Sequence, residues 1–138
     1  MKKSCLFRLF LIIMVLVTMM IVGGCEKKDA LEKIEDLDYE IVEAPDYPEE
    51  IKERIRQKKG EHFRFSYSDE KNTYLVYGFG KKTGTGFHIQ VDELYRTKNA
   101  VYYRPVLMGE KYSQKDAKEY EPIIVIRIDR REETIVFL

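Results

Sequence analysis

The sequence predicts a mainly β domain, a single sandwich or partly open barrel of about seven strands with one α-helix at its N-terminal end. Three observations point there. Phe63, Phe65 and Tyr67 alternate with polar neighbours, as do Phe87, Ile89 and Val91, which is the period-two mark of half-buried strands. Pro122-Ile123-Ile124-Val125-Ile126-Arg127-Ile128 is almost continuously apolar and β-branched, as a central strand would be. A full set of helix start and stop signals occurs once, after Asp46.

The elements follow in order. Residues 26–37 are charged, with little apolar periodicity beyond Leu31, Ile34 and Leu37, so a tether is expected there, with a short amphipathic helix as the alternative. As a flexible coil, that stretch would span on the order of 20 Å. Asp38 to Glu43 reads as a short strand with Tyr39 and Ile41 on one face, broken by Ala44-Pro45-Asp46. The helix is expected across 48–59, with Pro48 at its first turn, Glu49 and Glu50 at its start, Lys58 and Lys59 at its end and Gly60 beyond. Ile51 and Ile55 form its apolar stripe, and Glu50 with Arg54 a favourable i,i+4 pair. Lys52, Arg54, Arg56, Lys58 and Lys59 read as a solvated face rather than a binding patch.

From His62 the pattern is β. Asp69-Glu70-Lys71-Asn72 is a turn before Thr73 to Phe79, residues 87–92 form the next strand, and Thr97-Lys98-Asn99 turns into Ala100 to Met108. Gly109 to Lys118 is a polar loop, and Asp129-Arg130-Arg131-Glu132-Glu133 turns into a last strand, Thr134 to Leu138. No internal repeat is visible.

The start of the chain has a different character. Lys2, Lys3 and Arg8 give a basic beginning, Leu9 to Val22 is a 14-residue run without charge, and Val22-Gly23-Gly24-Cys25 supplies two small residues and a thiol. This resembles the lipobox of bacterial lipoproteins, in which the cysteine is acylated and everything before it is removed. The run is short for a spanning helix, which wants roughly 20 apolar residues. An uncleaved anchor and an ordinary secretory signal cut near Gly24 are the other readings. The resemblance implies a signal peptide at 1–24, a lipidated Cys25 and tether at 25–37, and a β-rich domain at 38–138. It also implies a diacylglycerol thioether on Cys25, two chains being enough to anchor stably where one is marginal. The expected location is the extracytoplasmic face of the cell membrane.

Composition agrees. Beginning at Cys25, 114 of the 138 residues remain, with 21 basic and 24 acidic groups and a net charge of −3. That balance argues against nucleic acid as a partner. The only cysteines are Cys5 and Cys25, so the β domain holds no thiol and no disulfide.

Catalytic and cofactor motifs do not emerge. Gly78-Phe79-Gly80-Lys81-Lys82-Thr83-Gly84-Thr85-Gly86-Phe87 superficially suggests a phosphate loop, but its glycine spacing fits neither a dinucleotide fingerprint nor a P-loop. It reads as a β-turn whose glycines supply positive φ, and also as an exposed loop carrying two lysines and two hydroxyls between core strands. Loops on rigid strands make good recognition sites, so Lys81, Lys82, Thr83, Gly84, Thr85, Gly86 and Phe87 are the candidate partner-binding residues. His62 starts a strand, His88 is expected to face outward, and no carboxylate–histidine spacing suggests a metal. Ser66, Ser68 and Ser113 lack a nucleophile elbow. Asp92-Glu93 and Glu132-Glu133 read as solvated strand ends, and most of the ten tyrosines as β-formers. Neither a catalytic residue nor a cofactor is expected, and a small-molecule ligand is not favoured.

The stretch Thr73-Tyr74-Leu75-Val76-Tyr77-Gly78-Phe79-Gly80, then Lys81-Lys82-Thr83-Gly84-Thr85-Gly86-Phe87-His88-Ile89, resembles the PrcB family of small bacterial lipoproteins associated with an exported protease complex. Family members tend to carry Lys-Pro-Thr-Gly-Gly-Tyr at this turn. Here Gly80, Lys82, Gly86 and an aromatic, Phe87, are kept, Thr83 replaces the proline, and Gly84-Thr85 stands for Thr-Gly. Tyr120-Glu121-Pro122-Ile123-Ile124-Val125 is similar to the family's Pro-led apolar strand, so the likeness covers roughly 72–128. It implies a noncatalytic accessory domain that binds a protein, stabilising or assembling a secreted protease. Thr83-Gly84-Thr85-Gly86-Phe87 also resembles the inhibitory loop of chagasin-like cysteine-peptidase inhibitors, without its Asn-Pro opening and with only Arg104-Pro105 for the later loop. A wall- or carbohydrate-binding lipoprotein using exposed tyrosines is the third reading.

Overall fold

The computed structural model describes Phe7, Arg8, Leu11 and residues 32–110 and 118–138. Cys25, nearly all of the expected signal peptide, most of the tether, and Ser113 with most of the polar loop lie outside the described residues. Among the described residues no helix is long and apolar enough to cross a membrane.

Among the described residues nine strands form two sheets, and one α-helix packs outside them. The strands are β1 (Glu35–Asp36), β2 (Glu40–Ile41), β3 (His62–Ser68), β4 (Asn72–Phe79), β5 (Lys82–Arg96), β6 (Ala100–Glu110), β7 (Lys118–Tyr120), β8 (Ile123–Asp129) and β9 (Thr134–Phe137); the helix is α1 (Glu49–Gln57). One sheet runs β2-β8-β4-β3, and the other runs β1-β5-β6-β9 with β7 also on β5. All pairings are antiparallel except β6 with β9. The domain is therefore a sandwich rather than a closed barrel.

The inner faces of both sheets supply one core. Leu75 and Tyr77 from β4 and Ile124, Ile126 and Ile128 from β8 meet Leu94, Val101 and Tyr103 from β5 and β6. The outer face of the four-stranded sheet builds a second core with α1. Here Phe63, Tyr74, Val76 and Val125 surround Ile51, which is fully buried. This is why β8 reads as an unbroken apolar run: Ile124 and Ile126 face one core and Val125 the other. Burying a side chain the size of Ile51 contributes about 2 kcal/mol, which outweighs the exposed Lys52–Glu49 and Arg54–Glu50 pairs at 2.8 and 2.9 Å along the helix. Tertiary burial fixes α1, and Gly60, at φ +82°, lets the chain turn away after it.

Two expectations shift. The tether does not run to residue 37, because Glu35 and Asp36 pair with Arg96 and Tyr95, and Leu37 enters the inner core. The folded unit therefore takes in residues assigned above to the tether. The strand expected over Asp38 to Glu43 is only two residues long, because a 3-10 turn at Ala44–Asp46 lifts the chain off β8.

Candidate functional site

Gly80 and Lys81 carry the chain from the end of β4 in one sheet to the start of β5 in the other. The backbone of Gly80, at φ +70°, lies against His62 and Glu61, so a larger residue would meet both strain and crowding. The segment Lys81–Phe87, read above as an exposed loop, is strand from Lys82 onward. Lys82, Thr83 and Gly84 pair with Tyr120, Glu119 and Lys118 of β7, and Lys81 forms an ion pair with Glu119 at 3.1 Å. The ladder partner arrives from more than thirty residues later, which no local turn rule registers. Only Gly86 within the segment takes a positive φ, +65°. Between Thr85 and His88 the register with β6 slips by one, so Gly86 and Phe87 together oppose Gly109 in a β-bulge.

The bulge aims Phe87. Its half-buried ring lies across Gly109, where an added Cβ would collide with it, and meets Tyr120 edge-to-face at 5.6 Å between centroids. Two cavities adjoin the ring. One, about 340 Å³, opens between β2, β8 and β5, with Ile41, Val42, Ile89 and Ile123 in its walls. The other, about 590 Å³, is floored by Phe79, Pro105, Leu107 and Leu138 and rimmed by Lys82, Thr83 and Arg104. Phe87 and Leu107 belong to both. At this end the two sheets leave apolar surface uncovered among the described residues, with Ile41, Met108, Tyr120 and Leu138 all exposed.

Of the sequence-predicted site residues, Lys82, Thr83 and Phe87 line these cavities. Lys81, Lys82, Thr83 and Gly86 are exposed, Thr85 is partly buried and Gly84 is buried under the β7 ladder. Sequence reasoning did not place Ile41, Phe79, Leu107, Tyr120 or Leu138 here, since each comes from a different element. Arg104 and Pro105, the step set against the later chagasin-type loop, line the larger cavity.

Charge at the site is organised by a second register slip, at Asp92. Arg104 contacts both Asp92, at 3.1 Å, and Glu93. The pair of acids expected to be merely solvated thus clamps the guanidinium at the rim, leaving its Nε buried and without a partner among the described residues. His88 is exposed beside Phe87, and His62 meets the Tyr77 hydroxyl at 3.1 Å. Among the described residues no three His, Cys, Asp or Glu side chains converge as a metal site requires. Deeper in the core, Tyr103 is fully buried with a hydroxyl that finds no partner among the described residues, and burial pushes its pKa far up. What the site offers is apolar surface, open volume and a rim of mixed charge, the materials of recognition.

No family model matches this chain, and neither a curated protein nor a solved structure matches it.

Proposed function

We propose that this chain is a lipoprotein held by a lipid on Cys25 at the extracytoplasmic face of the cell membrane, and that its β domain is a noncatalytic accessory module binding an exported protein, a secreted protease being the partner the sequence resemblance suggests. The observation that carries the reading is the placement of Phe87. A half-buried aromatic stands between two cavities with apolar walls and charged rims, at the end of the sandwich where large apolar side chains are exposed. Aromatic anchors ringed by exposed apolar groups and a polar rim are the usual centre of a protein interface. An inhibitory role like that of the chagasin-type loop fits less well, because such a loop must protrude and Lys82–Gly84 are laddered to β7.

The test is chemical crosslinking of the affinity-tagged full chain in its native membranes, with mass spectrometry of what co-purifies. The expected result is one stoichiometric exported protein, lost with Phe87→Ala or Lys82→Glu and mislocalised with Cys25→Ala. Retention of cell-wall fragments in place of a protein would overturn the reading in favour of a wall ligand.

A further inference from the structure

Among the described residues the outer edge of β5 is paired at both ends and not between. At its start Lys82–Gly84 hold β7, and at its end Tyr95 and Arg96 hold β1, with the Leu37 N–H donating to the Leu94 carbonyl at 3.0 Å. From Thr85 to Glu93 every backbone pairing of β5 among the described residues is made with β6, on the other side. Nine residues of strand span about 30 Å. This is a slot, closed at both ends by strands that already add to the same edge. Next to it lies the smaller cavity, about 340 Å³, with apolar walls from Ile41, Phe87, Ile89 and Ile123 and with Glu43 and Glu121 also lining it.

Natural sheets protect edges that are not used. Bulges twist them away and inward-pointing charges penalise pairing. The other long edge, β3, has that protection: His62, Arg64 and Ser66 stand opposite Phe79, Tyr77 and Leu75, on the inner face. At the same inward positions β5 has Ile89 and Val91, which pack on the core and yet stay partly exposed. Its two bulges lie at the ends of the slot and leave His88 to Val91 in regular register with Met108 to Pro105.

We infer that this slot receives one extended segment of the protein partner, which adds as a strand to β5 between β7 and β1 and seats apolar side chains, at alternate positions, in the cavity beside Phe87. Main-chain hydrogen bonds supply affinity in this mode and the cavity supplies selectivity. The occupant is a single segment and not a second copy, because another β5 would bring its own β1 and β7 into the positions these strands already hold. Its chemistry follows from the walls: apolar residues every second position toward the cavity, polar ones beside the exposed His88, Gln90 and Asp92.

The inference rests on the protein-binding reading above, and its test separates the two. The probe is a library of random ten-residue peptides displayed on phage, selected on the purified full chain. The expected result is enrichment of sequences with alternating apolar residues. A synthetic winner should slow amide exchange within Thr85–Glu93 at least tenfold, leave β3 unchanged, and bind at least tenfold more weakly to Ile41→Trp, which fills the cavity mouth from an exposed position. No enrichment, protection elsewhere, or indifference to Ile41→Trp in a variant with unchanged circular dichroism would overturn strand addition. If a membrane partner still crosslinks under those results, the protein-binding reading stands without this mode. If peptides dock in the slot and no protein partner crosslinks, the slot is a peptide site and the accessory-subunit reading falls.

Discussion

The hairpins β3–β4 and β5–β6 use one device in two settings. In each, a phenylalanine ring lies over a glycine of the neighbouring strand, Phe63 over Gly78 and Phe87 over Gly109. The ring shields a backbone that has no side chain of its own. Phe63 is then closed over by α1 through Ile51 and is 6% exposed. Phe87 is left half-buried between two cavities, and the strand that carries it has an open edge lined inward by Ile89 and Val91. The β3 edge, by contrast, turns His62 and Arg64 inward, with Arg64 donating to the Phe137 carbonyl at 3.4 Å. One hairpin is closed over and its edge is guarded. The other keeps apolar surface and a strand edge uncovered among the described residues, and both are liabilities unless occupied.

Substitutions can break this contrast. The largest effect is expected at Gly78→Ala, whose Cβ overlaps the Phe63 ring in a closed core. Overpacking of this kind costs about 2–3 kcal/mol, measured by urea unfolding. Gly109→Ala makes the same collision with Phe87, but that ring has cavities to swing into, so the loss should stay below about 1 kcal/mol. Equal losses would mean that the open end is as tightly packed as the closed one. Tyr103→Phe should raise stability by about 1 kcal/mol, because it removes a buried hydroxyl with no partner among the described residues. A marked loss would show that the hydroxyl is satisfied in solution.

Arg64→Val should change stability by less than about 0.5 kcal/mol, while stripping the guard from the β3 edge. Static light scattering should then show association that the parent chain lacks. The smallest effect concerns the β3–β4 turn. The Asp69 carboxylate accepts the Lys71 and Asn72 N–H groups at 2.8 and 2.7 Å, and these bonds hold its pKa below the usual carboxylate range. A lowered folded-state pKa means that its contribution is complete above the ordinary value, about 3.9, and is lost as the pH falls through the folded-state value. Asp69→Asn keeps an acceptor without the titration, so its Tm should fall less steeply than the parent's between pH 4 and 2.5.

The strands with a face to read were legible in the sequence. β3, β4, β6, β8 and β9 announce themselves by alternation or by β-branched runs, and α1 by Pro48, its acidic start and Gly60. β1 and β7 were not legible, because two or three exposed, mostly charged residues have no period and become strands only by pairing with β5. The same cause hid the true form of Lys81–Phe87. Its glycines and hydroxyls argue locally for a turn, and only the distant β7 makes it a ladder. Of the seven candidate residues, Lys82, Thr83 and Phe87 line the two cavities. The cavities, the smaller drawing on β2, β5, β6, β7 and β8 and the larger on β4, β5, β6 and Leu138, and the stretch of β5 unpaired among the described residues are properties of topology that spacing does not encode.

The most direct measurement places a photo-crosslinking amino acid at Gln90, in the middle of the β5 slot, or at Ser66, in the middle of the β3 edge, of the full chain in its native membranes. Crosslinking of one exported protein from Gln90 and none from Ser66 is the result expected here. Capture from Ser66 instead, or equally from both, would contradict the assignment of β5 as the receiving edge.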